Sequence, residues 1–487
     1  MSTIYLIFSL IFIINTWALV SQSSPVILLL LLSAFQIAVT ARNPKLGGCL
    51  LFFFIPWIDV LSNTLFRYYV IPAALIPVSG WLAGYYIYLY RNKLRLEMPK
   101  ESWILISMLL ITLLSTLYSF SKYLSYFPEW NSTVATLYLG EQVRLKNAVG
   151  WIILGFVQWS MVPVLLIAFY DWLKRFNCLK SSIAFLAAGI LISIEFGVYQ
   201  KFFDVNFAMP PMFATPLERI TGASADPNSL CYLFLMSIPL LICLFLGIKN
   251  RLRYLLFAGI SVMVLIMYYS GSRSAIIGLF AFLVFTVFFL AVTKRIGKFI
   301  LFSLIGVVVL ISSLFMMRSP ATMRLYELKG RNISGDGKPF TFLTDIVEPR
   351  IPYWELGWMV FKDNIPAGTG AGRYLMAAPV YQKTIPAHVN NNENTANYFL
   401  QAAAEMGIIG FILFAVFFAR LAASAVNLLM KPKAASTNSV ILSLSVLIMI
   451  ILLNIGPHLL MTEVATVFCL TVAALWADTG GLSGREQ

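Results

Sequence analysis

Residues 274–292 read SAIIGLFAFLVFTVFFLAV, nineteen consecutive positions without a charged side chain. Wound as an α-helix at about 1.5 Å per residue, such a run is about 28 Å long, close to the ~30 Å depth of a bilayer's hydrocarbon core. The same kind of block recurs along the chain, near 4–20, 24–40, 46–62, 71–90, 101–119, 147–169, 181–198, 228–247, 252–269, 298–316, 407–428, 438–454 and 459–476. An outer-membrane barrel would need alternating strands of about ten residues, whereas these runs are continuous and rich in Leu, Ile and Phe. A backbone in lipid must satisfy its hydrogen bonds internally, which favours helices. The expected fold is therefore all-α, a polytopic transmembrane bundle of about fourteen crossings with a large periplasmic loop region. The range is twelve to fourteen, because Pro56 and Asp59 interrupt one block, and Pro457 and His458 precede another. The first block lacks a basic n-region and a small-residue cleavage site, so it reads as a helix and not as a removed signal peptide.

The composition agrees: 60% of the 487 residues are hydrophobic and 11% are charged, where a soluble domain carries about 25% charge. The net charge of +14 needs no nucleic-acid partner. Arg42, Lys45, Arg91, Lys93, Arg95, Lys100, Lys174, Arg175, Lys180, Lys249, Arg251, Arg253, Lys294, Arg295, Lys298, Lys431 and Lys433 all fall in alternate connections. The positive-inside rule makes that side cytoplasmic, with both termini, where basic turns also meet anionic membrane lipids. Segments 120–146, 199–227 and 317–406 then face outward. The implied division is 1–316 (eleven membrane helices with short loops), 317–406 (a periplasmic region with short helices), 407–478 (C-terminal membrane helices) and 479–487 (a cytoplasmic tail).

Outward basic residues need another reason, and the second half holds Arg219, Arg273, Arg318, Arg324, Arg331, Arg350 and Arg373. Arg273 stands in a short turn between two apolar blocks. Arg219 lies seven residues before Asp226-Pro227, a helix-start pair. Snorkelling to lipid headgroups accounts for one such arginine; three on one face, at 219, 273 and 350, suit a phosphorylated lipid, because guanidinium groups contact phosphate bidentately. Cys49, Cys178, Cys231, Cys243 and Cys469 lie in or beside apolar blocks and read as buried hydrophobes, not as a disulfide framework. With His388 and His458 the only histidines, no metal spacing exists, and no cofactor is expected.

Within the outward segment, IPYWELGWMVFKDN reads as a short helix and GTGAGRY as a glycine-rich turn. That turn is either a tight connection or part of an anion pocket. Asn390, Asn391 and Asn392 can start a helix on which Glu393, Asn397, Gln401 and Glu405 recur every fourth residue, a polar stripe reaching the membrane at Gly407. Such a stripe faces water, protein or ligand, because carboxylates facing lipid are costly.

Four segments carry a family resemblance: RITGASADPNSL (219–230), SGSRSAIIGL (270–279), RIPYWELGWMVFKDNIPAGTGAGRY (350–374) and ENTANYFLQAAAEMGIIG (393–410). In order and spacing they resemble the bacterial O-antigen ligase and polymerase superfamily, membrane glycosyltransferases acting on polyprenyl-diphosphate-linked glycans. The resemblance implies diphosphate-handling roles for Arg273 and Arg350, with Arg219 a third candidate, and a place beside the catalytic histidine for Asn397. The family's histidine falls on Ala396, which cannot titrate; His388 or Glu393 are the candidate substitutes. Arg373, Gln401 and Tyr398 join Arg219 and Asn397 as substrate-binding candidates. The implied partners are a polyprenyl-diphosphate-linked oligosaccharide, an acceptor glycan or lipid-linked glycan, and a chain-length regulator. The implied activity is polysaccharide polymerisation at the periplasmic face of the bacterial inner membrane, ahead of ligation to lipid A core. A secondary transporter is the alternative from another class, against which stands the absence of related halves.

Overall fold

A computed structural model describes residues 25–60, 73–126, 145–208, 219–224, 226–248, 250–293, 350–382, 394–431 and 435–480. Among them run α1 (Pro25–Arg42), α2 (Pro44–Phe54), α3 (Leu75–Arg91), α4 (Ser102–Tyr126), α5 (Leu145–Phe176), α6 (Leu179–Phe202) and α7 (Pro227–Gly247). There follow α8 (Leu252–Ser270), α9 (Arg273–Val292), α10 (Ile351–Asp363), α11 (Tyr374–Gln382), α12 (Tyr398–Met430), α13 (Thr437–Leu452) and α14 (Thr462–Gly480). Local chemistry sets several boundaries. The Asp226 carboxylate accepts from the Asn228 and Ser229 amides and Pro227 takes the first helical position of α7, where its missing N–H costs nothing. Gly271, at φ +74°, closes α8, so that Arg273 opens α9 two residues later.

The expectation of about fourteen crossings is corrected. Seven helices among the described residues are long and apolar enough to span a bilayer: 102–122, 151–176, 179–202, 227–247, 252–270, 273–292 and 398–430. The apolar stretches 30–42, 44–54 and 437–452 are shorter, and the 46–62 block breaks into turns after Phe54. The blocks at 4–20 and 298–316 lie outside the described residues. The physical reason is that an apolar run reports burial without saying in what. The side chains of α14 from Thr462 to Trp476 are buried inside the protein, so its apolarity answers to neighbouring helices and not to lipid.

α14 is the core helix, packed on α5, α7 and α13, while α12 lies against α4, α10 and α13. Lipid-facing side chains are found on the outer helices, among them Leu110, Leu114 and Leu117 of α4 and Phe285 and Phe288 of α9. All five cysteines are buried free thiols. A small satellite core, Leu356, Val360 and Phe361 of α10 with Tyr374 and Ala378 of α11 and Ala403 and Ala404 of α12, seats the two short helices on the start of α12. α12 itself is two helical pieces joined at Gly407, whose φ of 67° and ψ of −163° are not helical. A Cβ there would overlap the Pro366 carbonyl, so glycine is required both for the left-handed turn and for the close approach of the 365–368 turn. The first piece of α12, 398–406, is thereby held at an angle to the crossing piece that follows.

Candidate active site

The start of α7 organises the first half of the site. Arg219 reaches from the preceding segment, donating from Nε to the Ser270 carbonyl at 2.7 Å and from Nη2 to the Asn228 side-chain oxygen at 3.2 Å. One guanidinium thus joins the end of α8 to the start of α7. One turn into α7, the Tyr232 hydroxyl donates to Ser274 Oγ at 2.9 Å, immediately after Arg273. The Tyr232 ring stacks on the imidazole of His458, with centroids 3.4 Å apart and planes 21° apart. His458 is 7% exposed, and neither ring nitrogen has a hydrogen-bond partner.

The second half is assembled by the turn that follows α13. Three consecutive carbonyls accept from three different groups: Leu453 from the Tyr398 amide at 2.8 Å, Asn454 from Asn397 Nδ2 at 3.2 Å and Ile455 from Arg350 Nε at 2.8 Å. Leu453 is the C-cap of α13 and the next two residues leave the helix, so these carbonyls have no partner in a continuing helix and, close to the negative end of the helix dipole, suit amides and a guanidinium as donors. Asn397 is also the N-cap of α12, accepting from the Leu400 amide. Ala396, at φ +53°, has its carbonyl bonded by Trp354 Nε1 at 3.2 Å. Arg350 lies within electrostatic reach of both Tyr232 and His458. The 453–458 turn therefore binds the starts of α10 and α12 directly and, through His458 and Tyr232, is linked to α7 and to the start of α9; Arg219, Arg273, Arg350, Ala396 and Asn397 on or beside these starts are each half-buried.

The remaining candidates sit apart from that cluster. Tyr398 is fully buried, its ring against Trp159 and Phe418. Gln401 accepts from the Thr395 amide and donates to Glu405 at 3.0 Å. The helix expected from Asn390 starts instead at Tyr398, and the stripe turns into protein: Gln401 and Glu405 are 1% and 4% exposed. His388 and Glu393 lie outside the described residues.

Glu405 locks the glycine-rich turn in place. Its carboxylate accepts from Trp159 Nε1 at 2.7 Å, the Gly372 amide at 2.9 Å, Gln401 at 3.0 Å and the Tyr374 amide at 3.4 Å. The other amides of the turn are also taken: Gly368 by Asn364 O, Thr369 by Ala404 O, Gly370 by Glu405 O and Arg373 by Gly370 O, and Ala371 by Ser115 Oγ. With every N–H of 368–374 spent inside the protein, the turn is a structural connection and not a phosphate cradle. Arg373 belongs to it, donating from Nη1 to the Thr369 carbonyl at 3.1 Å. The groups that sequence reasoning missed are Tyr232, His458 and the 453–455 carbonyls. Main-chain acceptors leave no side-chain signature, although the rarity of histidine, with two in the chain, marked His458.

From the Asn397 end of the site an apolar groove of about 840 Å³ descends along α12. Trp354, Asn397 and Asn454 line its head, and Ala415, Ala419 and Ala422 line its length within the membrane-crossing part of α12.

Glu405→Ala strands at least three buried donors, at about 1–3 kcal/mol each. The expected result is a fall of many degrees in the unfolding midpoint of the detergent-solubilised protein, read by intrinsic tryptophan fluorescence. An unchanged midpoint would mean that the turn is not held by this carboxylate.

The comparison with protein families agrees with this geometry. The family described as O-antigen ligase matches residues 258–415, which takes in Arg273, Arg350, Ala396, Asn397 and Glu405 and stops short of the 453–458 turn. No curated protein matches the chain. The chain thus carries, over residues 258–415, a domain similar to the O-antigen ligase family, set in a helical bundle with seven described helices long and apolar enough to cross a membrane.

Proposed function

We propose that the site is a glycosyltransferase centre that moves a glycan from a polyprenyl-diphosphate carrier to a sugar hydroxyl, extending a polysaccharide on the outer face of the inner membrane. The observation that carries this reading is Arg350 at the start of α10, bonded to Ile455 in the same turn whose Asn454 lines an apolar groove, with Arg273 at the start of α9 and Arg219 bonded to Ser270 at the end of α8 and Asn228 at the start of α7. Guanidinium groups and helix N-termini both favour phosphate oxygens, and a lipid diphosphate needs an apolar lodging next to its charged head. The outward orientation is argued from the connections between spanning helices that remain: Lys174, Arg175 and Lys180 flank the α5–α6 turn and Lys249, Arg251 and Arg253 the α7–α8 turn, at the ends opposite to Arg219 and Arg273.

In this reaction the acceptor oxygen attacks the anomeric carbon as the bond to the diphosphate breaks, and the bonding pair leaves with the carrier. Arg273 and Arg350 compensate the charge that grows on the leaving diphosphate, an effect that is large where water is excluded. Arg219, bonded to Ser270 and Asn228, holds the two helix starts at the spacing that the head group requires. Asn397 and the main chain at Ala396 form the edge nearest the groove, where the acceptor is oriented. Ala396 offers no proton acceptor, and this favours polymerisation by orientation and electrostatics over the ligase reaction, in which a histidine at that position is implied.

Arg273→Ala and Arg350→Ala are expected to abolish transfer from a polyprenyl-diphosphate glycan at normal membrane abundance, with lysine restoring little of it. Full activity in both alanine variants would remove the arginines from the reaction. Separating elongated repeats from glycan on lipid A core in the same assay distinguishes polymerase from ligase.

The groove is read as the seat of the carrier's polyprenyl tail, because its head is continuous with the site and its length runs at membrane depth. Ala419→Trp fills it with an indole. That variant is expected to raise KM about tenfold or more for a long-chain carrier while sparing a carrier of two or three isoprene units, since about 1.4 kcal/mol of lost binding is a factor of ten. Equal effects on both carriers would mean that the groove holds another lipid's acyl chain or a second copy of the protein.

A further inference from the structure

His458 stands out among the buried polar groups. It is packed in the turn that positions Arg350 and Asn397, it stacks on Tyr232, and both its nitrogens lack a protein partner. Buried polar side chains are normally hydrogen-bonded, so packing alone does not explain an imidazole here. Gly456 leaves room for it, since a Cβ at 456 would overlap Nε2.

We propose that His458 is a proton-linked positioning residue of the diphosphate site, taking up one proton when a diphosphate occupies the arginine cluster. The site then gains a further positive charge only when it is loaded. This inference rests on the diphosphate reading of the cluster given above.

The electrostatics follow from the neighbours. Burial, and then the Arg350 guanidinium, push the imidazole of the empty site down from 6.5 to about 3. It is neutral in any physiological medium. The elements around it carry Tyr232, stacked on the ring from α7, Asp226 as the N-cap of that helix, Arg273 at the start of α9 and Glu463 in the first turn of α14. Glu463 is no counter-ion: it is paired with Asp59 and accepts from Ser229, and burial, then the Asp59 carboxylate, push it well above the usual carboxylate range. α5 contributes Gln158, which donates to the Leu460 carbonyl at 3.0 Å. A diphosphate bound at Arg350 adds two or more negative charges beside the guanidinium that lowers the proton affinity of the ring. The field on His458 changes sign, and its proton affinity rises. The Tyr232 ring face is already in place to receive the imidazolium, as cations over aromatic faces are attracted.

The sign of the effect is fixed. The empty form binds a proton only far below neutrality and the loaded form binds it at higher pH, so loading takes protons up between those two values. By linkage, affinity tightens by at most about tenfold per pH unit of acidification across that window.

The test is calorimetric titration of the detergent-solubilised full chain with farnesyl diphosphate, in buffers of different ionisation heat, at about pH 5.5 and 8, straddling the ordinary imidazole range. His458→Phe keeps a stacked ring and cannot titrate, and it shares the ligand's own ionisation with the wild type. The expected result is that at the lower pH the wild type takes up as much as one proton more per bound diphosphate than His458→Phe, with no difference at the higher pH. If His458→Phe does not accumulate, His458→Gln makes the same comparison. Equal proton uptake by wild type and variant overturns the inference and leaves the diphosphate site standing. No diphosphate binding by the wild type overturns both. Proton-linked binding without glycan transfer would sink the transferase reading and keep His458 as assigned.

Discussion

Three adjacent carbonyls, those of Leu453, Asn454 and Ile455, hold the site together by accepting from Tyr398, Asn397 and Arg350. They belong to the C-cap of α13 and the two residues after it, and at the fully buried Leu453 an acceptor left unmade costs about 1–3 kcal/mol. Satisfying them with donors from two other segments fixes where α10 and α12 begin relative to α13. The same turn then carries His458 onto Tyr232, and Tyr232 reaches Ser274 at the head of α9. A short piece of irregular backbone thus binds the starts of α10 and α12 and is linked through His458 and Tyr232 to α7 and the start of α9.

Support for that arrangement comes from below. Glu405, buried at the end of the first piece of α12, binds the 368–374 turn through its carboxylate, while its carbonyl accepts from Gly370 and from Ser115 of α4 at 3.1 Å. Gly407 then lets α12 change direction. The polar face of 398–406 is consumed by these internal contacts, and the apolar remainder of α12 is free to border the groove. Rigid support of this kind suits a centre whose contribution is orientation and charge, since fixed dipoles cost no reorganisation as the leaving group departs.

Much of this was legible before the structure. The Asp226-Pro227 helix start, the reversal at Gly271 and the short helix after Arg350 all carry side-chain signatures. Three features were not. The crossing number was overestimated because hydropathy cannot separate burial in lipid from burial among helices, as in α14. Glu405 and Gln401 read as part of a face toward water, protein or ligand, and protein is singled out only once Trp159, Gly372 and Tyr374 are brought to the carboxylate. The turn at 453–455 acts through its main chain, which has no sequence pattern, and it lies beyond residues 258–415 matched by the family.

Under the function proposed above, the helix starts that bear Arg273, Arg350 and Asn397 hold a lipid diphosphate. A cryo-electron microscopy structure of the full chain in lipid nanodiscs, saturated with a glycan-free polyprenyl diphosphate, tests it most directly. The account predicts density for the two phosphates in contact with Arg273 and Arg350, with the isoprenoid chain entering the groove beside Asn397 and following α12 past Ala419. Phosphate density elsewhere on the protein, with the arginine cluster unoccupied at saturation, would contradict it.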